Sequence, residues 1–144
     1  MADVVLNNIV KTYNKGEVKA VNDVSFEVNK GELFGLIGAD GAGKTSIFRI
    51  LTTLLLPDSG TASVNGFDVV NDYKAIRKNV GYMPGKFSLY QDLTIEENLN
   101  FSATVFNTTV AENYDLVKDI YVQLEPFKDR RAGKLSGGMK QKLA

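Results

Sequence analysis

Nine consecutive residues, Gly38-Ala39-Asp40-Gly41-Ala42-Gly43-Lys44-Thr45-Ser46, have the types and spacing that hold a triphosphate. Glycines let the backbone curl until successive N–H groups point inward at phosphate oxygens, and a helix beginning near Thr45 adds its positive end. The run fits G-x-x-x-x-G-K-[ST], the P-loop pattern. Its lysine, Lys44, is placed to reach the β- and γ-phosphates, and the Thr45 hydroxyl to ligate Mg²⁺. The plain alternative is a Gly-rich turn joining a strand to a helix. The flanks decide for the loop: Leu33-Phe34-Gly35-Leu36-Ile37 reads as a buried strand before it, and a helical pattern follows it.

Composition bounds what else the chain can do. Its 144 residues are 44% hydrophobic, enough for one α/β domain with a core. Lys plus Arg equals Asp plus Glu at 17 each, so overall charge gives no reason to expect nucleic acid or an anionic surface as partner. The balance is uneven, however. Lys128, Arg130, Arg131, Lys134, Lys140 and Lys142 face a single acid, Asp129, which fits either a solvated tail or a surface meeting phosphates. Cysteine and histidine are both absent, which removes disulfides, thiolate metal sites, a Cys nucleophile and the commonest general base. No apolar run approaches the ~20 residues of a membrane-spanning helix.

The elements that must position the loop follow from local pattern. Residues 4–13 are rich in β-formers and end at the turn signal Asn14-Lys15-Gly16. Val24, Phe26 and Val28 alternate with Ser25, Glu27 and Asn29, a half-buried strand. The two form an expected antiparallel layer feeding a parallel core strand at 33–37. The helix from Thr45 shows Ile47, Ile50, Leu51 and Leu54 on one face and stops at Pro57; Asp58-Ser59-Gly60 is a turn. Residues 61–64 and 67–69 flank Asn65-Gly66, a strong hairpin signal. A short helix is expected over 72–78 and a short strand over 80–83. Beyond this the pattern turns helical, with capping boxes at Thr94-Ile95-Glu96-Glu97 and Thr109-Val110-Ala111-Glu112. Ile95, Leu99 and Phe106 mark the packing face of one helix; Val110, Tyr114, Val117, Tyr121 and Leu124 mark that of the next. The chain thus divides into 1–92, carrying the β-layer and the P-loop, and a helical part, 93–144.

A second motif narrows the chemistry. Leu135-Ser136-Gly137-Gly138-Met139-Lys140-Gln141-Lys142 resembles the signature of ATP-binding cassette (ABC) ATPases. Read alone, Ser136 is simply a helix N-cap. In this order with the P-loop, the resemblance extends along the chain: Tyr13 lies where that family has the aromatic residue that stacks on adenine, Val80-Gly81-Tyr82-Met83-Pro84 is similar to the approach to its Q-loop, and residues 89–99 to the opening of its helical subdomain. Residues 51–61 are most similar to ATPase subunits of daunorubicin-resistance drug exporters.

The resemblance implies an α/β P-loop NTPase core with an antiparallel β-layer and a helical subdomain. It implies ATP and Mg²⁺ as cofactors, a second nucleotide-binding domain whose P-loop nucleotide is closed by Ser136, Gly137 and Gly138, and a transmembrane permease subunit as partner. Such a subunit works on the cytoplasmic face of the membrane and drives its partner between two states. A soluble ABC ATPase without a transport partner, and a nucleotide-binding module that never hydrolyses, are the competing implications. The chain departs from the family pattern at three places, the first of which is Lys44-Thr45-Ser46 where the family usually has Lys-Ser-Thr, a swap that keeps both hydroxyls and is expected to change little. Gly85 stands where a glutamine usually contacts Mg²⁺ and helps place the attacking water, and Asp40 replaces a common asparagine. Lys86, next to Gly85, reads as a solvated lysine. The resemblance also places a Walker B strand, its acidic pair and a switch histidine after Ala144, so the chain is expected to be the N-terminal part of a longer ATPase. No catalytic residue is assigned within it.

Overall fold

The computed structural model describes residues 2–85 and 88–144, which form two compact units, Met1–Tyr82 and Met83–Ala144. Lys86 lies outside the described residues. In the first unit, β1 (Ala2–Tyr13) and β2 (Val18–Asn29) pair antiparallel across the tight turn Asn14–Gly16. β3 (Ser59–Val64) pairs with the other edge of β1, and β4 (Phe67–Asp68) with β3, giving the antiparallel order β2-β1-β3-β4. The turn between β3 and β4 has Asn65 and Gly66 both at positive φ, 51° and 79°, as a two-residue hairpin of the sheet's twist demands. The antiparallel layer expected from alternation is therefore present.

Its core depends on an irregularity in β1. Leu6 and Ile9 are both fully buried although three residues apart, an odd step that a regular strand sends to opposite faces. The ladder slips between them, and Asn8 takes φ 50°. This bulge restores both side chains to one face. Asn8 stays satisfied, its N–H donating to Ser25 Oγ at 2.8 Å and its Nδ2 to Asp23 Oδ1 at 2.7 Å. Leu6 and Ile9 then meet Val21, Ala62 and Val64 of the sheet and Ile47 and Ile50 of α1 (Lys44–Leu51). From α2 (Tyr73–Asn79), Ile76 closes the cluster. Arg77 ties α2 to the end of α1 by donating to the Thr53 hydroxyl and carbonyl, 2.8 Å each.

Two expected strands are not strands. Residues 32–39 have no regular secondary structure, and Leu33 and Ile37 are fully exposed. A buried strand needs a backbone partner at its edges, and the four strands of this sheet pair only with one another. Leu36 still packs on the core, and Phe34 stacks on Phe26 with centroids 4.9 Å apart. Residues 80–84 are likewise irregular, with Val80 on the core and Met83 exposed. Leu54, expected on the buried face of α1, is exposed because the helix ends at Leu51.

In the second unit, α3 (Ile95–Val105), α4 (Tyr114–Tyr121) and α5 (Gly137–Leu143) surround Ile95, Leu124, Ala132, Leu135 and Leu143. The Thr94–Glu97 capping box is complete: Thr94 N–H donates to Glu97 Oε2 at 2.7 Å, and Glu97 N–H to Thr94 Oγ1 at 3.1 Å. The Thr109–Glu112 pair makes the same two bonds, but around a turn, and regular helix begins only at Tyr114. Of the expected packing faces, Ile95 and Leu124 are buried, whereas Phe106 follows the end of α3 and is exposed, as is Val117. Asn98, 2% exposed, accepts from Tyr90 N–H at 2.9 Å and donates to the carbonyls of Tyr90, Leu93 and Thr94. The segment before α3 is laced to the segment before α5, with Ala132 N–H on Leu93 O and Gly133 N–H on Gln91 O, both at 2.8 Å.

Two outcomes are expected. Asn98→Ala strands several buried backbone groups at once and lowers stability by about 3 kcal/mol, measured by urea unfolding. Acid acts on the first unit through Asp58. Its carboxylate accepts from the Lys11 ammonium and from the Thr12 hydroxyl and N–H, which hold its pKa at about 2 against an ordinary 3.8. A depressed carboxylate stabilises the fold above its ordinary value and loses that contribution as pH falls through the folded one. Asp58→Asn therefore flattens the decline of stability between pH 3.8 and about 2, followed by circular dichroism.

Candidate nucleotide-binding site

Below β2 the chain returns through irregular backbone and enters α1 at Gly43, which has φ 83° and serves as the helix N-cap. No side chain caps this end, so the first N–H groups of α1 have no side-chain acceptor. Ile47 and Ile50 fix α1 to the sheet, and Gly43 sets how closely it lies. A Cβ at residue 43 would stand 2.0 Å from the Ala20 carbonyl oxygen of β2 and 3.2 Å from Val21 Cγ2. Only glycine fits, for its φ and for this contact.

The result is a cleft of about 350 Å³ lined by Asp40, Gly41, Ala42, Gly43, Lys44, Thr45 and Ser46 on one side and by Tyr13, Val18 and Ala20 on the other. Tyr13, distant in sequence, is thus brought to the loop. Its hydroxyl shares a 3.0 Å hydrogen bond with Ser46 Oγ, a residue only 9% exposed. Gly38 and Ala39 do not line the cleft. Their carbonyls instead accept from Lys44 Nζ, 2.6 Å each. The Lys44 ammonium therefore rests on the loop's own neutral carbonyls, acceptors that an anionic phosphate oxygen outcompetes. Asp40 is exposed, as expected of an unpaired carboxylate beside the loop.

Triphosphate chemistry fits these residues: uncapped helix N–H groups, a lysine on replaceable acceptors, two hydroxyls and an aromatic ring line one volume of ligand size. Mg²⁺ fits more narrowly. Among the described residues no three His, Cys, Asp or Glu side chains gather to hold an ion, and the Thr45 hydroxyl is an oxygen donor in the cleft of the kind that a hard cation takes. Val18 and Ala20 were missed in the sequence; their i, i+2 spacing on β2 puts both on one face, a signal visible only once β2 is known to flank the loop.

The signature residues lie in the second unit. Ser136 caps α5, its Oγ accepting from Met139 N–H at 3.4 Å. Leu135 is buried at 6% exposure and anchors the motif, while Gly137 and Gly138 are exposed with nothing within 4 Å of a Cβ position. Part of the basic excess, Arg130, Arg131 and Lys134, lines a basin with Pro126, Phe127 and Asp129. The Arg130 guanidinium lies 4.7 Å from the Phe127 ring centroid. At Gly85 an added Cβ also meets nothing within 4 Å. Replacing Gly43 by alanine, in contrast, is expected to cost ~2–4 kcal/mol by denaturant unfolding and to abolish Mg·ATP binding in calorimetry, since the helix start must move off β2.

Residues 21–144 match the ABC transporter family. The chain is 44% identical over 144 residues to a probable multidrug ABC transporter ATP-binding protein, YbhF of Escherichia coli, covering 99% of this chain and 25% of that protein. It is 35% identical over 142 residues to the doxorubicin resistance ATP-binding protein DrrA of Mycobacterium tuberculosis, covering 97% and 43% respectively. Among solved structures, an ATP-binding subunit of an ABC transporter superposes with TM-score 0.80 at 29% identity, covering 97% of this chain and 58% of the other. The dimeric post-hydrolysis state of the ATP-binding cassette MJ0796, bound to ADP and Pi, superposes with TM-score 0.79 at 25% identity, covering 97% and 66%. The chain spans between a quarter and two thirds of the lengths of these relatives. With the P-loop and signature sequences in place, the chain belongs to the ABC transporter family of ATP-binding proteins.

Proposed function

We propose that this chain is the ATP-binding part of an ABC exporter, taking ATP with Mg²⁺ into the cleft between β2 and the P-loop. The observation that carries this is the convergence of Tyr13 with residues 40–46 on one cleft. In this reading Tyr13 stacks on the base, and the N–H groups of residues 41–46 cradle the phosphates with Gly38 and Ala39 shaping the turn. Lys44 leaves its two carbonyls for the β- and γ-phosphates, and Ser46 sits against the phosphate chain. Mg²⁺, when bound, neutralises phosphate charge; Thr45 gives it a hydroxyl ligand.

Leu135, Ser136, Gly137, Gly138 and Met139 are assigned to the nucleotide of a second nucleotide-binding domain, in a homodimer of the intact protein. The exposed backbone of Gly137 and Gly138 supports this, because a triphosphate can approach it without meeting side chains. The drug-resistance names of the relatives support export through a separate transmembrane permease, with this subunit peripheral on the cytoplasmic face. No helix among the described residues is long and apolar enough to cross a membrane. The 144 residues alone hold no histidine, and we assign no residue in them to orient the attacking water, so they bind ATP and turn it over negligibly.

Calorimetry with Mg·ATP and a phosphate-release assay test this. The chain is expected to bind, Lys44→Ala to weaken binding by roughly 10- to 100-fold, the worth of a charged hydrogen bond, and phosphate release to stay at background. Absence of ATP binding by the unaltered chain overturns the reading; release at the rate of an intact family member overturns its last step.

A further inference from the structure

We infer that Asp58 is the positioning residue for Tyr13, and so sets how strongly this site favours a base-bearing nucleotide over a bare triphosphate. The inference rests on the nucleotide reading above and deepens it.

The sheet is incomplete where Tyr13 sits. β3 begins at Ser59, opposite Val10, so the last three residues of β1, Lys11, Thr12 and Tyr13, have ladder partners on β2 only: Val21, Lys19 and Val18. On the other edge their place is taken by one residue. Asp58 N–H donates to Val10 O at 2.9 Å, the last backbone bond on that side. The Asp58 side chain continues from there. Its Oδ2 accepts from both Thr12 N–H and the Thr12 hydroxyl at 2.7 Å, and its Oδ1 accepts from Lys11 Nζ at 2.6 Å. The carboxylate thus does what the carbonyls of a longer β3 would do, one residue short of Tyr13.

Besides its ladder partner Val18 on β2, Tyr13 is then located at two further points. Its backbone follows directly from the clamped Thr12, and its hydroxyl bonds Ser46 in the first turn of α1. The turn just beyond, with Asn14, Lys15 and Gly16 all at positive φ, adds no fixed partner on the β3 side. Only a carboxylate serves all three donors. Asparagine has one acceptor oxygen, and its amide would put a donor where a donor already points.

A merely stabilising Asp58 predicts a different outcome from a positioning one. Loss of general stability weakens every ligand of the cleft alike, whereas loss of Tyr13 placement penalises only ligands with a base. Calorimetry with Mg·ATP and with Mg·tripolyphosphate separates the two for the unaltered chain, Asp58→Ala, Asp58→Asn, Tyr13→Ala and the Tyr13→Ala/Asp58→Ala double variant. The ratio of the two affinities is expected to fall about tenfold in Asp58→Ala, the scale of one base–aromatic stack, with tripolyphosphate binding nearly unchanged. The double variant is expected to match Tyr13→Ala alone. An unchanged ratio in both Asp58 variants, an equal loss for both ligands, additive effects in the double variant, or failure of both Asp58 variants to fold by circular dichroism each overturns the inference. If the unaltered chain binds tripolyphosphate as well as ATP, Tyr13 contributes no base stacking and the inference falls while ATP binding in the cleft stands; if it binds neither, the nucleotide reading itself falls.

Discussion

The approach of Gly43 to the Ala20 carbonyl is the contact on which the candidate site depends. At 2.0 Å from that oxygen there is room for a hydrogen and nothing larger. Because α1 starts directly against β2, the face of β2 carrying Val18 and Ala20 becomes the far wall of the loop. Because β1 is the hairpin partner of β2, its last residue, Tyr13, arrives at the same wall. The P-loop therefore does not create the cleft by itself. It creates a strand-to-helix junction, and the antiparallel layer supplies the rest.

The same layer depends on a defect. Without the bulge at Asn8, Leu6 and Ile9 could not both face Ile47 and Ile50, and the helix that carries Lys44 and Thr45 would lose its seat on the sheet. A bulge costs an unpaired backbone position, and here Ser25 Oγ accepts the Asn8 N–H while Asp23 holds the Asn8 side chain. Binding geometry and core packing are thus coupled through one short run of β1, residues 6–13. This run holds the bulge at one end and the aromatic residue at the other.

What the sequence reveals and what it hides follow from the range of the interactions. The helix start at the end of the P-loop sequence, the Asn65-Gly66 turn and the Thr94–Glu97 capping box are encoded by neighbours within a few residues, and each appears as read. The run 33–37 misleads because apolar composition reports a preference for burial and says nothing about which strand is at hand to pair with it. The Thr109–Glu112 box shows the same limit in miniature, since its two hydrogen bonds form while the helix they should start is delayed to Tyr114. Asp58 is hidden for the opposite reason. In sequence it is the first residue of an Asp-Ser-Gly turn, where aspartate needs no further explanation. Its partners Lys11 and Thr12 lie 47 and 46 residues away and become its neighbours only when β3 joins β1.

Gly85 shows which departures from the family pattern are forced by the fold. At Gly43 the backbone and the neighbouring carbonyl leave no choice of residue. At Gly85 there is no positive φ and, among the described residues, no atom within 4 Å of where a Cβ would go. No contact with a described residue therefore demands glycine at residue 85. Glycine brings no side-chain oxygen or nitrogen to this position. The helix start, Lys44, the Thr45 and Ser46 hydroxyls and the Tyr13 ring are all held by one antiparallel layer and its helix.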